Sequence, residues 1–158
     1  MDPMLITQVI AVIAVLGTGV VFGTDVFCAM VLRPALSRLD DHALVAVTGF
    51  VHRYGDRRMP VPGVLGIAAT TAATALAATA GLWAHAAACA VALAALLIWL
   101  LLYIRLSAPI NRQLTAAAES GRTLANARAL QARWDSIISI RAALQGLAVA
   151  ALCSVAIL

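Results

Sequence analysis

The 158-residue sequence is poor in charge: Asp, Glu, Lys and Arg together make up 11% of it, against 63% hydrophobic residues. Soluble domains carry about 25% charged and about 45–50% apolar residues. This chain therefore lacks the polar surface needed to coat a fold of its size in water. An integral membrane protein is the class that remains, and the apolar content excludes disorder. Lysine is absent, so all eleven basic residues are Arg. Cysteine is scarce: Cys28, Cys89 and Cys153 each stand alone in an apolar run, without CxxC spacing. That pattern gives no disulfide framework and reads as small buried hydrophobes. There is no Walker loop, no GxSxG and no HExxH. The N-terminus lacks a basic segment, and its apolar stretch outruns the roughly 7–15 residues of a signal-peptide core, so a first span is expected and not a cleaved signal.

Four apolar runs are present, at about 5–32, 61–80, 86–104 and 137–158, each near the ~20 residues that cross hydrocarbon. Arg33-Pro34 is expected to close the first, a charge followed by a helix breaker. Pro60 and Pro62 suit the first turn of the second, and Arg105 is expected to stop the third. Arg33, Arg38, Arg53, Arg57 and Arg58 lie between runs one and two, and Arg105, Arg112, Arg122, Arg128 and Arg133 around the connection between runs three and four. The loop from Gly81 to His85 has none. The positive-inside rule then predicts cytoplasmic long connections, with the short loop and both termini outside. Trp83 and Tyr103 are expected at opposite interfaces as an aromatic belt. The formal net charge of +4 thus reads as topology, and a nucleic-acid partner is set aside. Asp40-Asp41 is placed to cap a short helix over 42–54 whose apolar residues suggest an interfacial helix. Ser107-Ala108-Pro109 is expected to break the chain before another short helix at 110–118, ended by Gly121. From Thr123 a helical pattern runs through Leu130, Trp134, Ile138 and Arg141 without a breaker, so the fourth span is expected to begin outside the bilayer. Gly19 and Gly23 form a GxxxG step that predicts close helix approach. Ala69, Ala73 and Ala77 suggest that the second run is the most enclosed. The expected fold is all-α, one integral membrane domain: a four-helix transmembrane bundle with short cytoplasmic interfacial helices, in the inner membrane of a bacterial cell.

The polar residues within this apolar frame are the candidates for chemistry. Asp25 lies seven residues before Leu32, about 10 Å along a helix, and Arg141 six residues beyond Asp135, about 9 Å. At similar depth, and facing lipid only at high cost, they are expected to pair inside the bundle or to floor a polar pocket. His52 and Asp56 are four apart and share a face if Gly55 leaves their helix continuous. Such a pair suits a general base or a metal, or else an interfacial anchor. Soft donors Cys28, Met30 and Met59 would suit copper, although no tight ligand spacing supports a metal. A bis-histidine haem is excluded by the expected placement of His52 and His85 on opposite sides.

Pro109-Ile110-Asn111-Arg112-Gln113-Leu114, followed by Trp134 and Arg141, resembles the P-x-N-x-x-L … W … R pattern of the anthrone oxygenase-like family. These are small four-span membrane proteins, and many bacterial members are domains of unknown function. Pro34-Ala35-Leu36 is similar to the ending of that family's first span. The resemblance implies oxidation of a reduced polyketide aromatic to a quinone by oxygen, with Asn111, Trp134 and Arg141 lining a cytoplasm-facing pocket. The family often has His four residues after the Trp. This chain has Ile138 there, which leaves His52 as the substitute imidazole. The expectation is an oxygenase-like oxidoreductase with His52, Asp56 and Arg141 in catalysis and Asp25, Asn111 and Trp134 binding a small aromatic or lipophilic molecule. The alternatives are an accessory subunit that holds a lipid, a quinone or a partner helix, with homo-oligomers compatible with either, and, more weakly, a small transporter.

Overall fold

A computed structural model describes residues 2–158. It is all-α, with no strand among the described residues. The helices are α1 (Pro3–Phe27), α2 (Arg33–Leu36), α3 (Asp41–Arg58), α4 (Pro60–Thr79), α5 (Trp83–Leu102), α6 (Ala108–Glu119) and α7 (Ala127–Val155). Five-residue π-helical turns at Cys28–Leu32 and Tyr103–Ser107 join α1 to α2 and α5 to α6. Four continuous helical stretches, Pro3–Leu36, Pro60–Thr79, Trp83–Glu119 and Ala127–Val155, are long and apolar enough to cross a membrane.

The two proline sites depart from expectation in the same way. Neither Pro34 nor Pro109 ends its helix. A proline ring collides with the carbonyl four residues back and has no N–H to donate. In both places the preceding turn is widened: the N–H of Arg33 bonds to the Cys28 carbonyl, and that of Ala108 to the Tyr103 carbonyl. A wide turn just ahead of the ring moves the obstructing carbonyl, so the helix runs on. The helices therefore continue past Arg33-Pro34 and Arg105, and Ser107-Ala108-Pro109 does not break the chain.

The chain forms two compact units. The first comprises residues 1–23, 60–99 and 143–158, and the second 24–59 and 100–142. All eleven Arg and six of the seven acidic residues fall in the second unit; Asp2 is the one acidic residue of the first.

Small residues build the core of the first unit. Ala11, Ala14, Ala69, Ala73, Cys89, Ala92 and Ala148 are buried there, with Leu96, Leu152 and Val155 as the larger members. The closest approach is at Gly17 and Gly66: a Cβ on Gly17 would lie 2.8 Å from the Gly66 nitrogen and the Pro62 carbonyl oxygen. Gly19 and Gly23, the expected contact step, have open space at their Cβ positions. A GxxxG spacing aligns two glycines on one face but does not say which face meets a neighbour. Ala69, Ala73 and Ala77 are buried, yet α4 is not the most enclosed helix. Buried residues make up 22% of its apolar window against 33% in the first stretch. Three hydroxyls stay within their own helices: Thr7, Thr70 and Thr74 donate to the carbonyls of Pro3, Gly66 and Thr70, whereas the buried Thr18 hydroxyl has no hydrogen-bond partner among the described residues. Cys153 is exposed, against the expectation for all three cysteines, while Cys28 and Cys89 are buried.

In the second unit Asp40 caps α3, its Oδ1 accepting from the Ala43 N–H at 2.8 Å. α3 continues without a break through Gly55 to Arg58. Gly49 lets α3 lie directly on α6, since a Cβ there would strike Ala118 and the Leu114 carbonyl. Thr115 Oγ1 donates to the Gly49 carbonyl at 3.1 Å across this contact. Leu44, Val45, Ile110 and Leu114 pack with Trp134 and Ile138 of α7 into one apolar cluster. Val47, Phe50 and Val51 of α3 remain exposed. Gly121, with φ +64°, terminates α6 in the left-handed region that glycine enters freely.

Candidate functional site

The six residues singled out from the sequence belong to one network in the second unit. At its centre the Arg141 guanidinium donates from Nη2 to Asp25 Oδ1 at 2.9 Å and from Nη1 to Ser107 Oγ at 2.8 Å. The Asp25 and Arg141 side chains are 4% and 7% exposed, which makes this a buried ion pair. Its guanidinium carbon also lies 5.6 Å from the centre of the Tyr103 ring and 5.8 Å from that of Trp134. Both distances fall within reach of a cation–π attraction.

From this centre the network extends in two directions. Tyr103 donates its hydroxyl to Asp56 Oδ1 at 2.8 Å, and Asn111 Nδ2 donates to the same oxygen at 2.9 Å. On the other side Trp134 lies against His52, ring centres 5.4 Å apart and planes tilted by 47°. His52 is buried on α3 one turn before Asp56. Burial lowers its pKa from 6.5 to about 4, and the Arg141 charge acts in the same direction, while Asp56 opposes both. The imidazole is therefore neutral at physiological pH.

Buried polar atoms of this network without a hydrogen-bond partner among the described residues include His52 Nε2, Trp134 Nε1 and Asn111 Oδ1. Buried polar atoms are nearly always paired, so several in one network mark a place where polar contact is left to be made. Asp56 also reaches a surface cleft of about 300 Å³ walled by Arg53, Arg57, Arg112, Thr115 and Glu119. That cleft takes in Asp56 but not His52, Trp134 or Arg141.

Two members of the network were assigned elsewhere from the sequence. Tyr103 reads as an interfacial belt residue and Ser107 as part of a break, yet both face Arg141. They sit at the two ends of the second π-helical turn. A wide turn brings residues four apart onto one face, and Pro109 two residues on was the signal that such a turn was present. Of the soft donors, Cys28 is buried, Met30 is 73% exposed, and the sulfur of Met59 accepts a weak bond from Thr24. Among the described residues no group of three or more His, Cys, Asp and Glu has metal-holding geometry. No family model, curated protein or solved structure matches the chain.

Proposed function

We propose that this multi-pass membrane protein is an oxygenase-like enzyme that takes a small, flat, lipophilic aromatic with an acidic C–H or O–H. The observation that carries the reading is a neutral, buried imidazole with an unpartnered Nε2, set against Trp134, with the Arg141 guanidinium near the same indole. These supply an acceptor for the proton, a surface for the ring and a fixed positive charge for the resulting anion. Proton transfer from the bound acid to His52 creates imidazolium and anion together, so neither buried charge stands alone. Asp56, one turn along α3 and itself held by Tyr103 and Asn111, favours the imidazolium.

The resemblance to the anthrone oxygenase-like family supplies the overall reaction. A ring CH₂ becomes C=O, and O₂ provides one oxygen atom to the product and one to water. The four electrons leave the carbon and reduce oxygen, and the two hydrogens end in that water. In this reading the long connections face the cytoplasm. The test is oxygen uptake and quinone formation by the purified protein with anthrone-type substrates, with metal analysis of the same sample. Uptake abolished in His52→Gln while folded yield is kept supports the reading. Absence of uptake with every such substrate contradicts it.

A second reading rests on the closed Asp25–Arg141 pair and on the cleft that omits it. In that reading the network is a polar clasp, and the protein is a non-catalytic subunit that holds a lipid, a quinone or a partner helix. A protein that binds aromatic ligands without turning them over would favour it.

A further inference from the structure

The cleft between α3 and α6 has a chemistry that the reaction above does not use. Its walls carry three guanidinium groups, Arg53, Arg57 and Arg112, against two carboxylates, Asp56 and Glu119. Neither carboxylate neutralises the two outer arginines. Arg53 Nη1 is paired with Glu119, and Asp56 accepts from Tyr103 and Asn111. Arg57 and Arg112 make no salt bridge among the described residues and are exposed at the cleft. Thr115 also lines the cleft from α6, and the approach of α3 to α6 at Gly49 fixes the spacing of the two helices. A topological bias explains why arginines gather on one side of a membrane. It does not explain why three of them, from two helices packed by a glycine contact, line one concavity.

We infer that this cleft binds a phosphate-bearing anion, with Arg57 and Arg112 as its two clamps. A guanidinium meets phosphate oxygens through paired, charge-assisted N–H···O bonds, and basic pockets beside membrane helices take anionic lipid headgroups. The volume of about 300 Å³ accommodates a phosphate with its attached glycerol or sugar. Glu119 holds Arg53 away from the ligand, so the site is weaker than its arginine content suggests. The inference is independent of the proposed reaction, since none of these arginines takes part in it.

The full chain, purified in a neutral, phosphate-free detergent, is titrated separately with inorganic phosphate, phosphatidylglycerol and phosphatidylcholine, and bound ligand is read by native mass spectrometry. Saturable binding of phosphatidylglycerol above phosphatidylcholine, competed by inorganic phosphate, identifies a lipid headgroup as the occupant. Saturable binding of inorganic phosphate without preference between the two lipids identifies a soluble phosphate compound. In either case the Arg57→Gln, Arg112→Gln double variant binds about tenfold more weakly or worse, as expected for lost bonds to a charged group. Glu119→Gln, which frees Arg53, binds more tightly, and Arg38→Gln binds unchanged. Both clamp residues are exposed and outside any ion pair, so the double variant is expected to fold as the parent does, which its thermal midpoint checks. Saturable binding of neither inorganic phosphate nor phosphatidylglycerol, or equal binding by the parent and the double variant, overturns the inference.

Discussion

The two units solve the burial of polar groups in opposite ways. In the first, the Thr70 and Thr74 hydroxyls return to the carbonyl one turn back on their own helix, and the core packs largely through small residues such as Ala11, Ala73, Ala92 and Ala148. In the second, the polar groups bond across elements: Asp25 to Arg141, Ser107 to Arg141, Asp56 to Tyr103 and Asn111. Satisfaction within a helix needs no partner and leaves the packing surface apolar. Satisfaction between helices fixes their register and concentrates charge in one place. The lesson is that the scarce charge of this chain is not spread thinly. It is gathered into the unit where chemistry is possible.

The sharpest way to break that comparison is to remove one half of the buried pair. Arg141→Ala leaves Asp25 as an uncompensated buried charge and is expected to destabilise the fold by about 3–5 kcal/mol, read as unfolding in detergent. Replacing both partners with apolar residues, Asp25→Leu with Arg141→Met, is expected to recover most of that loss. A double variant as unstable as Arg141→Ala would mean that the pair itself, and not the stranded charge, sets the stability.

Acid should weaken the second unit next most strongly. His52 has a folded pKa near 4 against 6.5 unfolded. Below 6.5 the unfolded chain takes up a proton that the folded chain refuses until about pH 4. Stability from this group is therefore present above 6.5 and lost as pH falls through that window, by up to about 3 kcal/mol. His52→Gln should flatten this part of the pH profile, and an unchanged profile would show that His52 is not its source.

Glycine contacts allow a comparison of tight and open positions. Gly17→Ala and Gly49→Ala place a methyl group against backbone atoms and should cost about 1–3 kcal/mol. Gly19→Ala and Gly23→Ala meet open space and should be neutral or slightly stabilising, since alanine is the better helix former. The smallest expected loss is at the α3 cap, where Asp40→Ala loses the bond to the Ala43 N–H and about 1 kcal/mol. Thermal midpoints of the five variants order these effects.

Much of this was legible in the sequence because hydropathy and helix spacing are local. The four spans, the Asp40 cap, the Gly121 terminus and the helix running into Arg141 follow from residues a few positions apart, although that helix starts at Ala127 and not at Thr123. The depth argument for Asp25 and Arg141 worked because both helices rise at the same rate. What was not legible depended on backbone detail or on neighbours. Pro34 and Pro109 read as ends because proline blocks an ordinary α-turn, and only the widened turn before each removes the obstruction. That same turn carried Tyr103 and Ser107 into the network. Gly17 and Gly49 gave no more signal than Gly19 or Gly23, since a close approach is a property of two surfaces.

The central claim is that the His52–Trp134–Arg141 cluster takes an aromatic ligand. Replacing Trp83 and Trp99 by Phe leaves Trp134 as the sole tryptophan, and its fluorescence then reports on this cluster alone. Titration with a lipophilic anthrone or phenol is predicted to give saturable quenching, strongly weakened by His52→Gln. Fluorescence that changes linearly with added ligand, or saturates identically with and without His52, would contradict the account.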